Sequence, residues 1–258
     1  MLPQQRTILS RLMPEPNEVT AWAEEVRETV ANETRDRIEM RRRGEAATVL
    51  GDTLAFADGN IKGISLTVNR ATAKIGFNGI ACQAGCAACC YVRVTALPPE
   101  VFNIARYVNE KFSADERASL LDRIRSYVDS IAALPVERRM RHVLACPFLS
   151  EEQSCTVYEA RPLACRMHHS LSREACEDRD SPVPVIQDFI EATVPVMEGV
   201  YAGCALAGAE PGELEYIPAM QTVLEEEDAE ARWLAGEDVF SGAVDLYLRD
   251  YVAKLLNQ

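Results

Sequence analysis

Four cysteines fall within nine positions in the stretch CQAGCAACC, residues 82 to 90. Four more, Cys146, Cys155, Cys165 and Cys176, are spread over the thirty-one residues from 146 to 176. Thiols at this density constrain the chain more than any hydrophobic pattern does. Free ones oxidise or cross-link, and inert buried ones are seldom bunched in sequence, so they call for a partner that thiolates bind: another thiol or a metal.

The setting weighs between the two. The chain starts MLPQQRTILSRLMPEP, with Arg6 and Arg11 and no acid before Glu15. That is faintly like a transit peptide but lacks the apolar core of a secretory signal. A cytoplasmic location is the simplest expectation. In a reducing compartment nine cysteines, an odd number, read as metal ligands or catalytic thiols before structural disulfides. At 258 residues and 48% hydrophobic the chain has enough apolar surface for a core without staples. Its net charge of −13, with Arg41-Arg42-Arg43 as the only basic run, argues against broad nucleic-acid binding; that run reads as a solvated helix face. No stretch of about 18 uncharged apolar residues occurs, so no membrane span is expected. The partner is then an unidentified protein or small molecule.

Apolar spacing predicts helices nearly throughout. Val19, Trp22, Val26 and Val30 recur three and four apart, the stripe of an amphipathic helix from about residue 17 past 40. Leu97-Pro98-Pro99-Glu100 starts another, with proline suited to a first turn. Ser113-Ala114-Asp115-Glu116 has the capping-box form, followed by Leu121, Ile124, Val128 and Ile131 on one face. Phe189, Val194, Met197 and Tyr201 mark a later long helix, and the pattern repeats through the acidic run Glu225 to Asp228. No alternating strand set or internal repeat is visible. The expected fold is all-α, a helical globule around a loop-rich, metal-bound cysteine core. Residues 1–79 form N-terminal amphipathic helices, 80–180 the cysteine core, and 181–258 C-terminal helices packed with the rest as one domain.

Eight thiols in two groups of four match the arithmetic of two tetrahedral sites. The candidate ligands are Cys82, Cys86, Cys89 and Cys90 in the first half and Cys146, Cys155, Cys165 and Cys176 in the second. Gaps of three and two let Cys82, Cys86 and Cys89 wrap a compact centre. Adjacent Cys89 and Cys90 project differently, so one of them is expected to serve a second centre or remain a free thiol. A metal tetrathiolate is a net anion and needs nearby donors, for which Arg161 and Arg166 flank Cys165. His168 and His169 are within reach as ligands or as hydrogen-bonding loop residues, the plainer reading. His142 reads as surface, Cys204 as core, Tyr158 as packing on the cysteine loop and Glu159 as solvated.

CQAGCAACC, then Leu97-Pro98-Pro99-Glu100-Val101, CPFL at 146 to 149, CTVYEARPLACR at 155 to 166 and Ser170 with Cys176 together resemble the YkgJ-type cysteine-cluster family, described as zinc- or iron-chelating. The resemblance covers roughly residues 80 to 180 and implies that Cys82, Cys86, Cys89, Cys90, Cys146, Cys155 and Cys165, with Cys176, form a metal-binding set. It implies little about a reaction. Flagellin lysine methylases resemble the same family and offer an enzyme alternative, although no glycine-rich strand-to-helix turn for an ordinary methyl donor is present. Cys82-x3-Cys86-x2-Cys89 is also the spacing of radical S-adenosylmethionine enzymes. Here Ala88 stands where those have an aromatic, no Gly-Gly-Glu-like segment follows and no strands supply a partial barrel. The second cysteine series has gaps of eight, nine and ten residues and no Cys-x2-Cys knuckle of the kind structural zinc sites use. An iron-sulfur cluster, which tolerates scattered ligands, is therefore the preferred cofactor and zinc the alternative.

Overall fold

The computed structural model describes residues 16–76, 78–134, 144–178 and 185–243; the first fifteen residues and His142 lie outside them. Within this set the helices are α1 (Pro16–Arg42), α2 (Thr53–Ala73), α3 (Pro98–Lys111), α4 (Ala114–Ala132), α5 (Leu163–Arg166), α6 (Arg173–Glu177), α7 (Gln187–Leu206), α8 (Tyr216–Glu225) and α9 (Ala229–Leu234). A 3-10 turn spans Ala88–Tyr91, and two short strands, β1 (Thr95–Ala96) and β2 (Leu214–Glu215), pair antiparallel with Thr95 opposite Glu215. The all-α expectation holds. The one small ladder ties the cysteine segment to the C-terminal helices.

Helix α1 packs along α7, burying Val26, Val30, Thr34 and Ile38. Two glycines in α7 set how closely they approach. A Cβ on Gly199 would stand 2.7 Å from Val30 Cβ, and one on Gly203 would stand 2.5 Å from both the Ala31 carbonyl oxygen and Thr34 Cβ. Only glycine leaves room for backbone at that distance. The buried face of α7 runs through Phe189, Thr193, Val196, Val200 and Cys204. It is therefore rotated from the stripe expected at Val194, Met197 and Tyr201, and Tyr201 is exposed. The sequence stripe misses this face because glycine, alanine and threonine line part of it and carry little hydrophobic signal. By length and composition α7 is apolar enough to cross a membrane, although Asp188, Glu191 and Glu198 keep it from being an uncharged stretch. In the fold its inner face is covered by α1 and α2.

The basic run at the end of α1 is not a simple solvated face. Arg42 donates to the carbonyl oxygens of Leu234 at 2.8 Å and Ala207 at 2.6 Å, at the ends of α9 and α7, and Arg41 pairs with Glu230 at 3.1 Å. The acidic run likewise breaks the last helical pattern, since α8 ends at Glu225 and Asp228 precedes α9.

Helices α3 and α4 start as their sequences predict. Pro98 and Pro99 occupy the first turn of α3, and Glu116 accepts the Ser113 N–H at 2.7 Å while Ser113 Oγ accepts from Glu116 N–H. In α4 the buried residues are Leu120 and Ile124, with Tyr127 and Val128 packed against the core edge. Helix α8 lies against α3 and α4, and Phe102, Trp233 and Phe240 meet at centroid separations of 5.4 and 5.5 Å. One hydrophobic cluster draws on all three expected segments, from Val30 through Val101 to Trp233.

The glycine contact generates a stability prediction. Gly203→Ala forces α1 and α7 apart and costs about 1–3 kcal/mol, read as a lower melting temperature by circular dichroism. An unchanged melting temperature would mean that the two helices separate freely.

Candidate metal centre

Short loops, each closed by backbone hydrogen bonds, bring the thiols together. In the first, Gly85 takes a left-handed φ of +82° that lets the chain double back, and Cys86 N–H donates to the Gln83 carbonyl at 3.0 Å. Ala81 N–H anchors the start of this loop on the Ser170 carbonyl at 2.8 Å. Cys89 and Cys90 then enter the 3-10 turn, and the Cys90 carbonyl accepts the Cys146 N–H at 2.7 Å, joining the two cysteine series directly. Residues 148–156 form a tight loop with Leu149 bridged to Cys155 and Thr156 N–H donating to the Phe148 carbonyl at 2.9 Å. Helix α5 presents Cys165.

The result is a cavity of about 470 Å³ lined by Cys82, Cys86, Cys89, Cys90, Cys146, Cys155 and Cys165. Its remaining wall includes Val94, Tyr127, Phe148, Tyr216, Ile217 and Pro218, with Arg161, His168 and His169 also on its surface. Cys176, on α6, stands beside Cys82, and α6 packs on the 3-10 turn. Cys204 is fully buried within α7, in the hydrophobic core.

The two sequence halves interleave in space. Cys82 feels the charges of Cys86, Cys89 and Cys176, whereas Cys90 feels Cys89, Cys146 and Cys155. Cys89 is the common neighbour, since its charge also reaches Cys146, Cys155 and Cys165. Among the described residues no three His, Cys, Asp or Glu side chains close on a single point at metal-bonding separation; the thiols are arrayed around the cavity.

Several sulfurs receive backbone donors. Ser170 N–H points at Cys82 Sγ from 3.3 Å, and Cys146 and Cys155 receive the N–H groups of Phe148 and Val157, each two residues on. Such bonds favour the thiolate, but burial outweighs them. It pushes Cys146 up to about 12, Cys165 well above the ordinary thiol range, and Cys82 and Cys155 upward. Cys89 goes the other way, down to about 6, because the Cys90 thiol donates to it and His168 and Arg161 add positive charge, against the opposing effect of burial. The same contact, with Cys90 as donor, raises Cys90.

The two histidines differ. His168 Nδ1 lies 2.8 Å from the Ala164 carbonyl, so that nitrogen carries the proton and Nε2 is left for other partners. His169 stacks on Phe189 at 4.1 Å and is lowered to about 4 by burial and by Arg161 and His168, which keeps it neutral.

The two arginines flanking Cys165 also part company. Arg166 is buried and spent on structure: Nε donates to the Arg161 carbonyl at 3.0 Å, Nη2 to the Glu159 carbonyl at 2.6 Å, and Nη1 pairs with Asp58 of α2. Arg161 lies over the ring of Tyr158, 3.6 Å from its centroid, and its Nε and Nη1 are buried without a hydrogen-bond partner. The buried Tyr216 hydroxyl has none either. Unpartnered donors around a ring of thiols fit an anionic metal-thiolate group, which supplies the missing acceptors.

Glu100, fully buried, holds the assembly. Its carboxyl accepts Leu97 N–H at 2.8 Å, at the start of α3, and Leu163 N–H at 2.6 Å, at the start of α5. Burial pushes its pKa up while these donors pull the other way. Sequence reading found Glu100 only as a helix-start residue, and neither Tyr216 nor Asp58 carried any local signal.

Residues 81–182 match the CxxCxxCC family model, described as "Putative zinc- or iron-chelating domain". That segment holds all seven cavity cysteines and Cys176, so the resemblance read from the thiols holds for residues 81–182, which are similar to a zinc- or iron-chelating domain. No curated protein and no solved structure matches the chain.

Glu100→Ala strands two buried N–H groups, at a cost of about 1–3 kcal/mol each. Denaturant titration is expected to show that loss, with Glu100→Gln intermediate because one oxygen remains to accept. Wild-type stability in the alanine variant would remove Glu100 from this role.

Proposed function

We propose that the cavity thiols, with Cys176 beside Cys82, hold iron-sulfur chemistry and that the protein is a redox or accessory metalloprotein of a reducing, cytoplasmic compartment. The observation that supports iron-sulfur over zinc is the spread of the donors. A structural zinc site needs four ligands within about 2.0–2.3 Å of one point, whereas here seven cysteines line a single cavity of about 470 Å³. An iron-sulfur group spreads its ligand sites over several irons and suits such a ring. When bound, it supplies one-electron transfer. The chain's own residues bind it through thiolates, donate backbone N–H groups to Cys82, Cys146 and Cys155, and keep water off one side with Val94, Phe148 and Ile217. The partner is a protein or small molecule.

A second reading, a protein-modifying enzyme resembling flagellin lysine methylase, draws on the same apolar wall, because a cavity of this volume lies within the range of small-molecule sites.

Protein purified without oxygen is expected to be brown and to contain iron with acid-labile sulfide. Colourless protein with stoichiometric zinc would overturn the iron-sulfur reading. Cys86→Ser is expected to lose metal and Cys204→Ser to keep it, by elemental analysis. Of the adjacent pair, Cys89→Ser removes more metal than Cys90→Ser, since Cys89 neighbours both cysteine series and is the thiolate of the pair. Equal and complete loss in both variants would show that the pair binds one compact centre.

A further inference from the structure

Two cationic side chains flank Cys165, and only one of them is free to act on whatever the thiols bind. All three nitrogens of the Arg166 guanidinium have partners within the protein. Arg161 differs in a specific way. Its guanidinium lies on the exposed ring of Tyr158, which shields one of its faces, while Nε and Nη1 are buried with no acceptor. Leaving two cationic N–H groups dry and unpaired is costly unless an acceptor arrives. Arg161 lines the thiol cavity, and its charge reaches Cys89, Cys155 and Cys165, so the thiols and whatever they bind are potential acceptors for those N–H groups. The Tyr216 hydroxyl, also buried and unpartnered, lies on the same cavity near Cys146, Cys155 and Cys165.

We infer that Arg161 and Tyr216 are hydrogen-bond donors to the anionic metal-thiolate group, and that Tyr158 is a positioning residue which holds the Arg161 plane against the cavity. The inference rests on the reading that the thiols bind metal, but not on which metal. A tetrathiolate centre is a net anion in a partly dry cavity, and each donated N–H or O–H lowers the cost of keeping it there. Arg166 is not such a donor: its three guanidinium nitrogens are taken by Asp58 and two carbonyl groups, and only its charge reaches the thiols, at Cys155.

The test uses the full chain, reconstituted without oxygen with ferrous iron and sulfide and, separately, with zinc. It follows metal release into excess chelator and, in parallel, the thermal stability of the metal-free protein. Arg161→Gln is expected to speed release about tenfold or more, in line with losing a hydrogen bond from a charged donor, while the metal-free melting temperature stays at or above the wild-type value, since the unpaired cationic N–H groups are gone. Arg161→Lys restores part of the retention because it keeps the charge without the planar fork. Tyr158→Ala behaves like Arg161→Gln, and Tyr158→Phe, which keeps the ring face, behaves like wild type. Tyr216→Phe speeds release to a smaller extent. In the iron-loaded form Arg161→Gln also disfavours the reduced, more anionic state, read as a more negative midpoint potential. Unchanged release from Arg161→Gln overturns the inference and leaves metal binding standing. So does a fall in metal-free stability that accounts for the faster release, which would make Arg161 a structural residue. If wild-type protein retains neither iron with sulfide nor zinc, the metal reading itself fails and this inference falls with it.

Discussion

One buried carboxyl group sets the geometry on which the site depends. Glu100 accepts the N–H groups that open α3 and α5, the second from Leu163, 63 positions on from Glu100, and so fixes the segment carrying Cys165 against the helix that follows the first cysteine loop. Prolines adjoin both donors: Pro98 and Pro99 follow Leu97 and open α3, and Pro162 stands before Leu163 and α5. Each limits the backbone to the conformation that a helix start requires and thereby reduces the entropy lost on docking. Arg166, one turn on, extends the clamp to α2 through Asp58 and to its own loop through two carbonyl groups. Two buried polar side chains thus align elements whose apolar residues, among them Val101, Ala160 and Leu163, join one hydrophobic cluster, and so a loop-rich segment keeps a defined cavity wall.

The sequence made the class of the protein legible, because thiol spacing is a local property and so are helix starts. The Ser113 to Glu116 capping box, the prolines at 98 and 99 and the helical period of α1 all appear as read. What could not be read is whatever depends on distant partners. Glu100 looks like any third-position glutamate until Leu163 is found against its second oxygen. Arg41 and Arg42 look solvated until the ends of α7 and α9 come to meet them. Arg161 and Arg166 are five residues apart and chemically alike, yet one is consumed by the fold and the other is not. The inner face of α7 is hidden for another reason, since its closest contacts are made by glycines, whose contribution is an absence of side chain.

The interleaving of the two cysteine series has the same origin. Chain order suggests two separate quartets, but the Cys146 N–H to Cys90 carbonyl bond draws the second series onto the first, and α6 folds back to set Cys176 beside Cys82. Cys89 becomes the point that both neighbourhoods share. Burial holds most of the surrounding thiols protonated in the absence of metal, with Cys146 near 12, while Cys89 near 6 is already a thiolate at neutral pH. Metal loading must therefore displace protons from the buried thiols, and affinity rises with pH until they are all released. Cys89, ionised and the most exposed of the nine cysteines, is the natural first point of contact for an incoming ion.

Much of the frame is held by contacts that no metal mediates, in contrast to the small domains whose fold rests on their ion. The Glu100 and Arg166 clamps, the β1 to β2 ladder and the cluster around Phe102, Trp233 and Phe240 are all made from protein groups alone. The outer helices therefore have a core that does not need metal. The residues that do need it are those facing the cavity: the buried thiols, the unpaired Arg161 N–H groups and the Tyr216 hydroxyl. A bound anionic centre answers all three at once, by sharing its positive ions among the thiolates and offering acceptors to the donors. Stability gained on metal binding is consequently concentrated in the central segment, and the helical frame supplies the wall against which that segment is ordered.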